Sequence, residues 1–72
     1  MESPDVAGVV RAELARQRQS HQALQQWLGL SRTSMYRRMA GLSQFDAREL
    51  VVIAEFLGMS VAELLGESKA SA

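Results

Sequence analysis

The sequence predicts an all-α fold, a compact bundle of five short helices around one core. Three observations predict it. Apolar residues recur three and four positions apart, the spacing of one helix face. Serine or aspartate opens each such segment and glycine closes four of them, the punctuation of helix ends. No segment alternates apolar and polar residues between turn signals, as a half-buried strand does. The chain has 72 residues, 47% of them hydrophobic, enough for one domain. A domain of this size buries only about 60% of the surface its unfolded chain exposes, so every helix must share one core.

The first helix is expected to open at Ser3 and Pro4, a capping residue followed by one that suits the first helical position. Asp5 would then face the positive end of the helix dipole. Val6, Val10 and Leu14 form its apolar stripe, Gly8 weakens it by about 1 kcal/mol relative to alanine, and it should end within residues 17–19. Ser20 caps the second helix, in which Leu24, Trp27 and Leu28 stand at i, i+3 and i+4 and are expected to be buried. Gly29 suits the left-handed residue that ends a helix. Leu30 and Ser31 make a short turn, and Ser31 caps a third helix with Met35 and Met39 on its inner side and Gly41 as its stop. In the fourth, Asp46 is the cap, Glu49 completes a capping box, and Phe45 and Leu50 are placed as a hydrophobic staple. Leu50, Ile53, Ala54 and Leu57 form its stripe and Gly58 ends it. The pattern repeats at once with Ser60, Glu63, Met59 and Leu64, closed by Gly66. Residues 1–66 are thus expected as one domain with a helix-turn-helix at 20–41, and residues 67–72 as a flexible tail.

The formal net charge is zero, but its distribution is uneven. Residues 14–45 carry Arg16, Arg18, Arg32, Arg37 and Arg38 and no acidic residue, while residues 1–13 and 46–72 are net acidic. One cationic block between acidic flanks is either a polyanion-binding surface or a clustering of solvated arginines. There is no cysteine and one histidine, so a disulfide framework and a cysteine-ligated zinc site are excluded. No apolar run reaches the roughly 20 residues of a membrane span, and no secretory signal is visible, so a cytoplasmic location, bacterial or in a phage-infected host cell, is expected. Glu49 and Glu63 are read as caps. No cluster of residues supports an enzyme, and no metal or other cofactor is expected.

The informative stretch is residues 20–41, which reads as helix, glycine, short turn, helix. Such a turn sets the second helix steeply across the first, so that it can enter a DNA major groove. Arg32, Thr33 and Ser34 form the first turn of the entering helix, and Tyr36 and Arg37 follow one turn later. Arginine binds guanine O6 and N7 bidentately, and threonine offers a methyl or a hydroxyl to base edges. Both helix starts carry N–H groups that suit phosphate.

SHQALQQWLGLSRTSMYRRMAG, residues 20–41, resembles the helix-turn-helix of the phage lambda repressor and Cro family, also called the xenobiotic-response-element type. FDARELVVIAEFLGMSVAELL is similar to the helices that follow it in that family. The resemblance spans about residues 6–66, and YRRMAG before an acidic, leucine-rich helix looks most like small regulators of actinobacterial phages. It implies a lambda-repressor-like DNA-binding domain and a transcriptional regulator, repressor or Cro-like. By position it makes Arg32, Thr33, Ser34, Tyr36 and Arg37 base-reading residues. His21, Gln22, Ser31, Arg38, Ser43 and Gln44 become phosphate contacts. Two positions depart from the family. Gln25 stands where a small alanine is preferred, so either its stem bends out or the helices splay. Arg38 stands where an apolar residue or tryptophan is common, and with Met39 taking over the burial it is expected to reach phosphate.

Several residues carry two readings. His21 is either a phosphate donor or an ordinary exposed residue, and Arg16 and Arg18 are either phosphate contacts or a solvated face. Val52 and Phe56 lie off the main stripe of the fourth helix, where Phe56 covers the junction with the fifth or the pair forms a dimer or partner surface. The expected partner is double-stranded operator DNA, palindromic if the protein binds as a homodimer. The competing class is a protein-interaction module on the same fold, such as an antitoxin, anti-repressor or assembly adaptor. The DNA reading requires residues 32–38 to form a rod with its arginines outward and its two methionines inward.

Overall fold

A computed structural model describes residues 5–66. Among these the chain is all-helical: α1 Val6–Gln17, α2 His21–Leu28, α3 Arg32–Met39, α4 Ala47–Leu57 and α5 Val61–Leu64. The core takes residues from every helix: Val10 and Leu14, Leu24 and Leu28, Met35 and Met39, Ile53, Ala54 and Leu57, and Leu64. Phe45, Leu50, Met59 and Val61 close over it from the helix junctions. No helix among the described residues is long and apolar enough to cross a membrane.

The helix ends follow from local chemistry. Ser20, Ser31, Asp46 and Ser60 each accept a hydrogen bond from the backbone N–H three residues on, the expected N-caps. Asp46 with Glu49 and Ser60 with Glu63 form complete capping boxes. The start of α1 differs from expectation. Its cap is Asp5, whose Oδ1 accepts from the Gly8 N–H at 3.0 Å, and Ser3 and Pro4 lie outside the described residues, as does the expected tail 67–72. A side-chain acceptor closer to the apolar run supplants the serine. The Asp5 carboxylate folds directly over the Gly8 α-carbon, in the space a Cβ would fill, which gives Gly8 a local role.

At the other ends, α1, α2 and α4 finish on a residue with positive φ: Arg18 at 57°, Gly29 at 70° and Gly58 at 70°. In each case the next N–H reaches back five residues, from Gln19 to Leu14 O, Leu30 to Gln25 O and Met59 to Ala54 O. This closure satisfies carbonyls the helix would leave open. In the α2–α3 turn it lets the chain reverse within three residues.

Long-range packing places the helix-turn-helix. α2 lies chiefly on α4, α3 chiefly on α1, and α5 closes the gap between α4 and α1. Two side chains of α1 bind the last turns of other helices. Arg11 Nη2 donates to Met39 O of α3 at 2.8 Å, and Gln17 Nε2 donates to Leu57 O of α4 at 2.8 Å. With Gln25 half-buried, α2 and α3 each take their main support from another helix, consistent with the splayed alternative.

Candidate nucleic-acid interface

α3 divides into two arcs. At roughly 100° per residue, Arg32, Tyr36, Ala40, Thr33 and Arg37 follow one another around one side, and all five are exposed. Met35 and Met39 are buried on the opposite side, with Arg38 and Ser34 half-buried at its margin. The sequence reading of α3 holds for the two methionines and for Arg32, Thr33, Tyr36 and Arg37. Tyr36 is 66% exposed, free to present its ring and hydroxyl. Ser34 sits at the edge of the arc, and its N–H is occupied by Ser31 Oγ at 3.1 Å.

Arg38 is a correction. Its Nε donates to Glu49 Oε1 at 2.9 Å and its Nη1 to Ser34 O at 3.4 Å. The Arg38 side chain is 21% exposed and that of Glu49 is 5% exposed. An arginine already neutralised by a buried carboxylate is not free to bind phosphate. The outward set of arginines in α3 therefore shrinks to Arg32 and Arg37. Arg38 occupies the inward position usual for an apolar residue, made tolerable by a matching charge on α4.

The cationic block is diluted in the same way at its start. Arg16 bonds Glu13 through Nε at 3.0 Å and Nη2 at 2.8 Å. That hydrogen bond first, and the carboxylate charge second, hold the Arg16 guanidinium above its ordinary pKa. Among the described residues no carboxylate pairs with Arg18, Arg32 or Arg37.

His21 and Gln22 are exposed in the first turn of α2. Ser31 is exposed, and its hydroxyl proton is free to donate while its oxygen caps α3. Ser43 is half-buried and Gln44 exposed in the loop after α3, where the N–H groups of Leu42 and Ser43 both close on Arg37 O. In neither α2 nor α3 does the first turn carry an acidic residue. The N–H groups of His21, Gln22, Arg32 and Thr33 have no carbonyl of their own helix to bond, so two positive helix ends are left without a local counter-charge.

One further expectation changes and one is narrowed. Trp27 is 59% exposed, outside the core, and its ring meets Phe56 edge-on at a centroid distance of 5.3 Å. Leu24 and Leu28 fill the interior, while Trp27 rests at the surface on Phe56 of α4. Of the two readings of Val52 and Phe56, half-burial against the core favours a covering role over an exposed patch, although Phe56 faces Trp27 of α2. The large apolar residue that α4 exposes is Val51. The roles of Arg11 and Gln17 carried no signal in the sequence, because their acceptors are backbone carbonyls on distant helices.

The family model of the BetR domain matches residues 5–72, nearly the whole chain. No curated protein and no solved structure matches it. With five helices, a capped helix-turn-helix and this match, the chain belongs to the BetR domain family, small helix-turn-helix-like regulatory domains, a membership that suggests DNA binding.

Proposed function

We propose that this protein is a sequence-specific transcriptional regulator, repressor or Cro-like and akin to small phage regulators, that reads an operator with α3. One observation carries the proposal. Arg32, Thr33, Tyr36 and Arg37 share one exposed arc of α3, and neither arginine is paired with a carboxylate among the described residues. Arg32 and Arg37 supply bidentate donors for guanine, and Thr33 and Tyr36 flank them. The open N–H groups of α2 and α3, with His21, Gln22, Ser31, Ser43 and Gln44, hold the phosphates and fix the register. The protein acts by occupying or recruiting at a promoter, with no chemistry on the DNA. A homodimer on a palindrome would place two copies of α3 about 34–36 Å apart.

Selection from a random DNA library followed by sequencing tests the proposal. Enrichment of one motif, palindromic for a dimer, is the expected result, and affinity for it should fall steeply with added salt. A library that stays random, or binding indifferent to salt, rejects it. Exposed Trp27 and Val51 favour the second reading, a protein-interaction module on the same fold, and that module would give the random outcome.

A further inference from the structure

The hydrogen bonds that tie α3 to other helices lie at one end. Arg32 and Thr33 of its N-terminal turn are exposed, and its C-terminal turn is gripped from two sides. Arg11 of α1 binds Met39 O at 2.8 Å, and Arg38 reaches across to Glu49 of α4 at 2.9 Å. The second grip has an unusual economy. The same carboxylate oxygen, Glu49 Oε1, accepts from the Asp46 N–H at 2.9 Å and from Arg38 Nε at 2.9 Å. The atom that closes the capping box of α4 is thus the atom that ties α3 to it.

Packing makes this tie matter. The close helix neighbour of α3 is α1. Toward α4, the described side-chain hydrogen bond is that of Arg38 with Glu49, which spans eleven residues of sequence and joins a partly exposed guanidinium to a buried carboxylate. A charge-assisted hydrogen bond is directional, and in a poorly solvated place it cannot be exchanged for water without cost. Methionine contacts fix the depth of α3 but tolerate rotation and sliding, since the thioether chain is unbranched and adaptable. The guanidinium–carboxylate geometry fixes the angle.

We infer, granting the DNA binding proposed above, that Arg38 and Glu49 are positioning residues that set the pose in which α3 presents Arg32, Thr33 and Arg37 to base edges. Neither touches DNA. Discrimination between sequences depends on the pair, while the number of phosphates neutralised does not.

The test compares the full chain with R38M and with R38M/E49Q. The double variant leaves no buried charge unpaired and keeps an amide oxygen for the Asp46 N–H, so it guards against a simple failure to fold. Affinity for the selected motif and for a scrambled duplex is measured over a salt series, at a temperature where circular dichroism shows every protein folded. The expected result is a motif-to-scrambled ratio lowered about tenfold in both variants, with the wild-type salt slope retained. An unchanged ratio in the folded variants would show that the pair serves stability alone. A salt slope reduced by about one would show that Arg38 binds phosphate after all. Either result overturns the inference while leaving DNA binding intact, whereas a wild-type protein that prefers no sequence removes both.

Discussion

The two helices of the helix-turn-helix and the two that follow it begin in the same way and are finished differently. All four have a serine or aspartate cap on the N–H three residues on. In α4 and α5 a glutamate at that third position folds back, so a carboxylate sits on the positive helix end. In α2 and α3 the same position is Ala23 or Ser34, and the first turn has no acidic residue. A carboxylate there would add stability through the capping box and the dipole. Its absence from the two helices that would meet DNA, and its presence on the two that would not, is what a phosphate-facing surface requires. On the proposed reading, stability is supplied where no ligand comes and the open donors are kept where one would.

Completing the missing box breaks this contrast most directly. Ser34→Glu should leave the melting temperature equal or slightly higher, because the new carboxylate can reach back to the Ser31 N–H. Affinity for the selected DNA should fall about a hundredfold, since a like charge is set against phosphate. Binding as tight as wild type in a fluorescence-anisotropy titration would mean that the carboxylate-free helix ends have no bearing on DNA.

The two boxes of the other half are themselves unequal. Glu49 is 3% exposed and bound to Arg38, whereas the hydrogen bonds of the Ser60–Glu63 box lie at the surface. Glu49→Ala should cost about 2–3 kcal/mol, less than for a fully enclosed pair because Arg38 still reaches solvent. Glu63→Ala should cost about 0.5–1 kcal/mol. Equal losses in urea unfolding would show that the pair adds nothing to the cap.

Arg37→Ala sharpens the contrast between neighbouring arginines. It should lower affinity for the selected motif by about 1–3 kcal/mol and relax the preference at one base pair, with little change in unfolding midpoint. Loss of stability without loss of discrimination would exchange the roles given to Arg37 and Arg38. An effect as small as that of Glu63→Ala, but of opposite sign, is expected at Arg18, the one non-glycine residue with positive φ among those described. Arg18→Gly should raise stability by about 0.5–1 kcal/mol by relieving the left-handed backbone. A lower unfolding midpoint would show that the arginine side chain contributes more than its backbone costs.

Most of the fold was legible because most of its signals are local. A serine and an N–H three residues on, or a glycine and a carbonyl four back, lie within about one turn of chain, and their chemistry does not wait for the rest of the molecule. The caps at Ser20, Ser31, Asp46 and Ser60 were read in that way, as were the inward methionines of α3. The same local logic misplaced the start of α1 by preferring Ser3 over Asp5. Half of a candidate interface can be read likewise, since the exposed arc of α3 is fixed once helix and inner face are known.

The sequence by itself determined which segments are helices, where four of them begin, and which residues α3 turns inward. Tertiary structure alone decided that Trp27 lies outside against Phe56, that Arg38 spends its charge on Glu49, and that Arg11 and Gln17 bind the ends of α3 and α4. Those partners lie 11 to 40 residues away in the chain. Periodicity says which side of a helix is apolar but not how far the neighbouring helix extends to cover it. A charge in a sequence likewise has no partner until packing brings one within reach.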